Sequence, residues 1–347
     1  MDYPATFDAT AAQAALEGSG IRVPRLHDYA WKVWDYWERH LDPDLPTAQN
    51  IRRVAGGKVV VITGASSGIG RAVAGALAGA GSTIIGVARG VEKLEEMKAE
   101  VEARGGTVHL YPTDLSDPGA CKEMLERVIA DHGRVDVLIN NAGRSIRRSV
   151  MESLDRFHDF ERTMQLNYFG AIALIMAALP GMKEQGGGHI LNITSIGGQT
   201  YPPRFSAYVA SKAALDGYSR CLAAEVAADG IHITTVHMPL VRTPMIAPTG
   251  IYKNFPTISH EEAADMVVQA LITRPHEVST RLGKFGELTH ATLPGLHNLI
   301  MSAAYHMLPD SGGRSKKDGA AGDGEKDDEP VSAEAYALGM LMRGIHL

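Results

Sequence analysis

The 347-residue chain has only two cysteines, Cys121 and Cys221, which is too few for a framework of disulfide bonds. Because small secreted domains depend on such frameworks, this scarcity favours a reducing, cytoplasmic location. Charged residues make up 21% of the chain, carry a formal net charge of −6 and alternate in sign along the sequence. Without a broad cationic field, nucleic-acid binding is excluded as the main function.

Long apolar runs are also lacking. Glycine, proline or histidine interrupts each run before it reaches the roughly 20 residues that a membrane-spanning helix needs. The N-terminus has no basic and apolar leader, so we expect a soluble protein without a membrane span. Fourteen histidines are scattered without paired ligand spacing backed by cysteine, and no metal site is predicted.

Short β-rich runs alternate with longer helical stretches from Lys58 to about Ser195. This pattern is typical of repeated βαβ units and predicts an α/β fold, a doubly wound parallel sheet of the Rossmann type. Strands are predicted at 59–63, 83–88, 108–112, 135–140, 189–195 and 232–238. Helices are predicted to begin near Ile69, Val91, Pro118, Phe157, Tyr208 and Ser259.

We divide the chain into three parts. Residues 1–55 form a helical N-terminal extension. Residues 56–290 form the Rossmann-type domain, with a substrate loop at about 240–260. Residues 291–347 hold C-terminal helices and a flexible linker at 309–330, which is rich in glycine and charge.

Each extension contains an amphipathic helix candidate. The first carries all three tryptophans, Trp31, Trp34 and Trp37, along one side. We favour packing of this helix on the Rossmann domain over a docking surface. The second, at 293–308, is likewise expected to pack through the apolar side that includes Leu296, Leu299 and Ile300, with a substrate lid or a partner-docking helix as the alternatives.

A glycine-rich turn, Thr63-Gly-Ala-Ser-Ser-Gly-Ile-Gly70, follows the first predicted strand. Glycines at a strand-to-helix turn let backbone N–H groups approach a nucleotide pyrophosphate closely. A glycine triplet alone also suits an ordinary tight turn, but the motifs that follow it favour cofactor binding. The predicted cofactor contacts here are Gly64, Ser66, Ser67, Gly68, Ile69 and Gly70.

The end of the second predicted strand governs the choice of nicotinamide cofactor. An acidic side chain there would pair with ribose hydroxyls, and a basic one with a 2′-phosphate. The strand ends at Gly86-Val-Ala-Arg89 without an acid, so we predict NADPH (NADP+) with Arg89 on the phosphate. The alternative is a solvated surface arginine.

Two further segments follow predicted strands at the edge where open α/β sheets bind ligands. Asp114 and Leu115 follow the third strand, where the carboxylate either approaches the adenine or caps the next helix. Small residues after the fourth strand would let the backbone approach the cofactor: Asn141, Ala142 and Gly143.

Proton donation to a carbonyl oxygen requires an acid close to the reacting carbon. A tyrosine with a pKa of roughly 10 needs a nearby cation to favour its phenolate. Of eleven tyrosines, only Tyr208 has a lysine, Lys212, four residues later, one helical turn away. Ser195, at the end of the preceding strand, adds a second hydroxyl that can stabilise charge on the oxygen.

These motifs resemble, in order and spacing, those of the short-chain dehydrogenase/reductase family over residues 58–274. The resemblance implies that Tyr208 donates the proton, Lys212 lowers its pKa and holds the nicotinamide ribose, and Ser195 orients the carbonyl. Asn167, in Leu166-Asn-Tyr-Phe-Gly170, would position a relay water. It also implies a cofactor loop with Val241 and Thr243, the latter on the nicotinamide carboxamide.

One departure from the family pattern lies just before Thr243. The family commonly has Pro-Gly there, whereas this chain has His237-Met-Pro-Leu240. We therefore expect the loop beside the nicotinamide to take a different path.

A narrower resemblance concerns the substrate. The segments 29–43, 237–248, 255–258 and 342–346 are similar to the reductase module of bacterial fatty acyl-CoA reductases. This resemblance implies NADPH-dependent reduction of a fatty acyl-CoA or a long-chain fatty aldehyde. Residues after Thr243 are expected to line an apolar groove for the acyl chain: Met245, Ile246, Tyr252 and Phe255. The alternative for these residues is ordinary packing within a lid.

Two other functions remain open at this point. One is reduction of another carbonyl, such as a ketone or a 3-oxoacyl group, and the other is a noncatalytic docking module. The complete catalytic set argues against the docking module. The resemblances further imply a homo-oligomer through the helices near Phe157 and Tyr208. They also imply an upstream reductase domain in a longer polypeptide.

Overall fold

The computed structural model describes residues 10–20, 26–37, 42–243 and 257–307. Its strands form one parallel sheet in the order β3-β2-β1-β4-β5-β6-β7, with helices on both faces, which confirms the doubly wound α/β fold. The strands are β1 (Val59–Thr63), β2 (Thr83–Ala88), β3 (Thr107–Pro112), β4 (Val137–Asn140), β5 (Gly188–Ser195), β6 (Ile231–Met238) and β7 (Glu277–Val278).

Thirteen α-helices occur in the described ranges. They are α1 (Thr10–Leu16), α2 (Leu26–Tyr36), α3 (Ala48–Ala55), α4 (Gly68–Gly79), α5 (Val91–Glu102), α6 (Pro118–His132), α7 (Phe157–Met164), α8 (Gly170–Glu184), α9 (Gly197–Thr200), α10 (Ser206–Val226), α11 (His260–Thr273), α12 (Arg281–Thr292) and α13 (Pro294–Met307). A π-helical turn, Gln165–Phe169, joins α7 to α8.

The central strands are buried on both faces, as expected for a parallel sheet covered by helices. Because side chains alternate along a strand, β1 contributes to two separate cores. Val60 and Ile62 pack with α4 and α11, and Val61 packs with α6 and α8 on the opposite face. The six predicted strands therefore appear with ends shifted by at most two residues, whereas β7 is too short to give a pattern of its own.

The predicted packing of the tryptophan helix is wrong. Trp31 and Trp34 are 63% and 62% exposed, Trp37 is 40% exposed, and α2 has no buried residue. Regular spacing of the three rings defines a side of the helix, but it carries no information on whether another element covers that side.

The predicted packing of α13 through its aliphatic side is also wrong. Leu299 is 67% exposed, and Leu296 and Ile300 are exposed as well. The side chain turned inward is His297, which contacts the Thr289 hydroxyl of α12 at 3.4 Å from its Nδ1 atom. A polar pair thus occupies the position expected for leucines.

The helices α7 and α8 and the π turn between them form one helix, 157–184. Within the described ranges it is the one helix long and apolar enough to cross a membrane by composition, although the sequence led us to expect none. Leu174 and Ile175 of this helix are buried beneath the sheet, and core helices of this kind meet the same criterion.

Candidate active site

The glycine-rich turn between β1 and α4 is built so that only glycine fits at several positions. Gly64 and Gly68 have φ values of +68° and +54°, a region that other residues rarely adopt. A Cβ atom at Gly70 would lie 2.7 Å from Nδ2 of Asn141. Glycines without side chains therefore leave the backbone N–H groups accessible where α4 begins, as a pyrophosphate bound at a helix N-terminus requires.

The segment after β4 fixes this turn from the side. The backbone N–H groups of Asn141 and Ala142 both donate to Oγ1 of Thr63 at 2.9 Å. Nδ2 of Asn141 also donates to the Thr63 carbonyl at 2.9 Å. Two of the predicted cofactor residues thus support the glycine-rich turn directly.

Arg89 lies exposed at the end of β2, next to the same turn. The Gly64 N–H group donates to the carbonyl of Val87 at 2.7 Å, which joins the end of β2 to the start of the turn. An arginine here can reach a phosphate on the adenosine ribose of a bound dinucleotide.

Asp114 does not cap the following helix. The N-cap of α6 is Asp117, whose carboxylate accepts from the N–H groups of Gly119 and Ala120. Asp114 instead accepts from the backbone and the hydroxyl of Ser116 at 3.0 and 2.7 Å. These hydrogen bonds hold the pKa of Asp114 below its usual value, with a smaller contribution from the charge of Arg89. The carboxylate therefore lies within electrostatic reach of Arg89. Leu115 is buried beside it.

Ser195, Tyr208 and Lys212 come together where β5 meets α10. Ser195 ends β5, and its Oγ atom accepts from the Gly197 N–H group at 3.1 Å. Tyr208 and Lys212 lie one turn apart on α10, which packs on β5. Nζ of the buried Lys212 donates to the carbonyl of Ile193 at 2.7 Å, which fixes the ammonium group against β5.

Burial controls the protonation of both α10 residues. It raises the pKa of Tyr208, and the hydrogen bond with Ser195 opposes this shift. Burial lowers the pKa of Lys212 to about 8. We expected from the sequence that Lys212 favours the phenolate. Tyr208 instead stays protonated at neutral pH, and the influence that lowers its pKa comes from Ser195.

Asn167 lies in the π-helical turn, where the regular helical hydrogen bonding is interrupted. Its side chain donates to the Arg144 carbonyl and to Oγ of Ser211, both at 2.9 Å, and accepts from the Arg144 N–H group at 2.8 Å. A Cβ atom placed on Gly143 would be 3.4 Å from both Oδ1 of Asn167 and Nζ of Lys212. These two side chains therefore converge on Gly143.

A buried polar chain that the sequence analysis did not identify supports this arrangement. Nδ2 of Asn140 donates to Oδ1 of Asn192 at 2.9 Å, and Nδ2 of Asn192 donates to Oγ of Ser219 at 2.8 Å. It links β4, β5 and α10. A polar residue within the apolar run Ile190–Ile193 was the available signal for Asn192.

The segment after β6 passes over the glycine-rich turn. Val241 is buried and forms a parallel bridge with Ile258. A Cβ atom on Gly68 would be 3.2 Å from Cγ2 of Thr243, so Thr243 lies next to the turn, as its predicted role requires. The predicted groove residues Met245, Ile246, Tyr252 and Phe255 and the linker 309–330 lie outside the described residues.

A chamber of about 570 Å³ opens at the start of α10, the helix that carries Tyr208. This volume is in the range of roughly 300–1,000 Å³ that is usual for sites of small ligands. Its walls include two residues of α10 near Tyr208 in the sequence: Ser206, two residues before it, and Val209, directly after it. The other walls are mainly apolar or aromatic: Val150, Met151, Tyr201, Pro202, Pro203 and Tyr305.

Comparisons with known proteins agree with this geometry. The sequence model of the family described as short chain dehydrogenase matches residues 58–251. A fatty acyl-CoA reductase of Acinetobacter baylyi is 54% identical over 255 residues, which cover 74% of this chain and 86% of that protein. A fatty acyl-CoA reductase of Mycobacterium tuberculosis is 45% identical over 253 residues, covering 73% of this chain and 86% of that protein. The solved structure of a metagenomic short-chain oxidoreductase in complex with NADP aligns with a TM-score of 0.56 and 31% identity. That alignment covers 65% of this chain and 96% of the other.

Proposed function

Because this chain belongs to the short chain dehydrogenase family, we propose that it is an NADPH-dependent reductase of fatty acyl-CoA thioesters or long-chain fatty aldehydes. The observation that carries the reductase chemistry is the convergence of Tyr208, Lys212, Ser195 and Asn167 at the carboxyl ends of β4 and β5. The substrate class is supported by the two relatives named fatty acyl-CoA reductase and by the chamber at the start of α10, whose walls include Val150, Met151, Pro202, Pro203 and Val209.

The bare turn Gly64–Gly70, Thr243 and the segment Asn141–Gly143 fit a dinucleotide. They would hold NADPH, which when bound supplies a hydride to the carbonyl carbon. The substrate oxygen gains negative charge in that step and takes the proton of Tyr208. The Ser195 hydroxyl polarises the same oxygen and stabilises its charge.

Lys212 and Asn167 act on Tyr208 and its surroundings. Ser195 opposes the raised pKa of Tyr208 before proton transfer; to the Lys212 ammonium group, one helical turn along α10, we assign stabilisation of the phenolate that remains afterwards. Asn167 fixes the Arg144 backbone and Ser211, whose hydroxyl in turn donates to the Tyr208 carbonyl at 2.7 Å. We assign to Asn167 the positioning of a relay water through which Tyr208 regains its proton.

A thioester would be reduced by direct hydride attack on its carbonyl carbon. The C–S bond would then break, and CoA would leave as its thiol. No cysteine is suited to form an acyl-enzyme. Burial raises the pKa of Cys121 to about 12, so its thiol stays protonated. Cys221 lies 13 residues beyond Tyr208 on α10, about 20 Å along the helix.

The preference for NADPH rests on Arg89. The end of β2 offers this guanidinium and no carboxylate, and a fork of N–H donors suits a 2′-phosphate. The relative solved with NADP supports the same choice.

The direct test is NADPH oxidation measured in parallel with palmitoyl-CoA, decanal and a cyclic ketone. We expect turnover with one or both of the acyl compounds and little with the ketone. Turnover of the ketone alone would refute the acyl assignment and leave a reductase of another carbonyl. Absence of NADPH oxidation with every carbonyl tested would instead favour the noncatalytic alternative.

A further inference from the structure

Arg204 holds together three segments that surround the chamber. It lies in the turn before α10, and its carbonyl accepts from the N–H group of Arg148, after β4, at 2.7 Å. Its Nη2 atom donates to the carbonyl of Tyr305 in α13 at 3.1 Å. The guanidinium also lies over the Tyr305 ring, 4.3 Å from the ring centre. One nine-tenths buried residue therefore fixes α13 against the chamber.

The backbone of this turn is unusual. In the described ranges, three residues other than glycine have positive φ values, and two of them line the chamber: Tyr201 at 47° and Arg204 at 71°. Such conformations are costly for residues with a Cβ atom and persist where the surrounding structure enforces them. For Arg204 the enforcing contacts are those with Arg148 and Tyr305, whereas Tyr201 ends α9 with its N–H group donating to the Gly197 carbonyl at 2.9 Å.

The chemistry of the walls selects the ligand. The guanidinium of Arg204 lies over the Tyr305 ring, and the other polar side-chain groups on the walls are four hydroxyls, those of Ser149, Ser206, Tyr201 and Tyr305. A polyol would need a partner for each of its hydroxyl groups, and five of the ten wall residues have apolar side chains that offer none. An unbranched alkyl chain instead loses its contact with water at no polar cost.

We propose that Tyr305 is the end wall of an alkyl subsite in this chamber and therefore determines the longest acyl chain that the enzyme reduces efficiently. The inference rests on the proposed function and makes α13, which lies beyond the family match at 58–251, part of the substrate site. Arg204 is the positioning residue that holds Tyr305 there.

The test compares saturated aldehydes from 4 to 18 carbons with the full chain and NADPH. For the unaltered protein, kcat/KM rises with chain length, by up to about fourfold for each added CH₂ group that the site buries, and then levels off. With Tyr305→Ala the levelling moves to chains longer by at least two carbons. With Tyr305→Phe, which keeps the ring, the profile is unchanged.

Two further variants serve as a control and as a change that shortens the preferred chain instead of lengthening it. Leu299→Ala alters the exposed side of the same helix and leaves the profile unchanged. Val150→Trp fills the chamber from a wall residue that is more than half exposed, so folding is little affected, and it shortens the preferred chain. The KM for NADPH, measured with butanal, stays within twofold in all variants.

Different outcomes separate the two proposals. If the unaltered protein reduces long-chain aldehydes but neither Tyr305→Ala nor Val150→Trp changes the preferred length, the role of Tyr305 is refuted and the proposed function stands. If the unaltered protein reduces no acyl compound of any length, both proposals fail. If Tyr305→Ala does not fold, the shortening expected from Val150→Trp and the unchanged profile of Tyr305→Phe decide the matter.

Discussion

At the scale of single residues, burial shifts the pKa values of Lys212 and Tyr208 in opposite directions. Lys212 is buried one helical turn from Tyr208 on α10, and this burial makes its ammonium group easier to deprotonate. Tyr208 is affected in the other direction, since burial favours its neutral form. At neutral pH both residues therefore hold their protons, the state needed for proton donation.

This pair predicts the pH dependence of reduction. Lys212 has a pKa of about 8, so its charge is present below pH 8 and is lost as the pH rises through that value. The raised pKa of Tyr208 keeps the proton donor intact over this range. We expect kcat/KM with saturating NADPH to fall above about pH 8, as measured by initial rates from pH 6 to 10.

Lys212→Arg provides the control, because arginine stays charged throughout this range. The variant is expected to be slower but to lose the decline near pH 8. A decline at the same pH in both proteins would show that another group titrates.

Arg89 predicts cofactor discrimination. Hydrogen bonds to a charged group contribute about 1.5–3 kcal/mol, so Arg89→Ala should raise the KM for NADPH by roughly 10-fold to 100-fold. The KM for NADH should change less than threefold, because NADH has no 2′-phosphate. Steady-state rates with both cofactors check this, and Arg104→Ala, on the turn after α5, is a surface control. Equal effects on both cofactors would remove Arg89 from the phosphate site.

At the scale of elements, sequence patterns predict what lies within one strand or helix and its immediate turn. β1 and β2 are placed at their observed ends, because buried parallel strands give continuous β-rich runs. The glycine-rich turn and the Tyr208 and Lys212 pair are local in the same sense. The Asn140, Asn192 and Ser219 chain joins three elements distant in sequence, so no local pattern reveals it.

That chain predicts a measurable coupling. Removing one member leaves buried polar atoms unpaired, at a cost of about 1–3 kcal/mol in the free energy of unfolding. We expect Asn192→Ala and Ser219→Ala each to destabilise the protein in urea denaturation. Because they share one hydrogen bond, the double variant should lose clearly less stability than the sum of the two single losses. Strict additivity would show that the Asn192 and Ser219 contact contributes no stability of its own.

At the scale of the whole molecule, a helix packs only where another element faces its apolar side. Two predictions of helix packing from the sequence were wrong for this reason. The tryptophans near α2 and the leucines of α13 are apolar at helical spacing, yet both sets are exposed. Burial depends on whether another element arrives at that face, and periodicity records only the face itself. The family match at 58–251 covers β1 to β6 and ends before β7 and α13.

An exposed apolar side of the long helix 157–184 predicts self-association. Phe169 and Met176 lie seven residues apart on that helix and are both exposed. We propose that this side contributes to a homo-oligomer, in which case Met176→Arg should lower the particle mass in solution scattering. Met151→Arg, exposed but outside this helix, serves as the control. A monomeric unaltered protein would contradict the proposal.

In the proposed reaction, Tyr208 gives its proton to a fatty acyl carbonyl as NADPH is oxidised. The most direct measurement is NADPH oxidation by Tyr208→Phe with decanal and palmitoyl-CoA, beside Tyr218→Phe, which removes a second phenol from the same helix. We expect Tyr208→Phe to lose about 100-fold or more of kcat while still binding NADPH, and Tyr218→Phe to keep its activity. Turnover by Tyr208→Phe equal to that of the unaltered protein would contradict the proposed reaction.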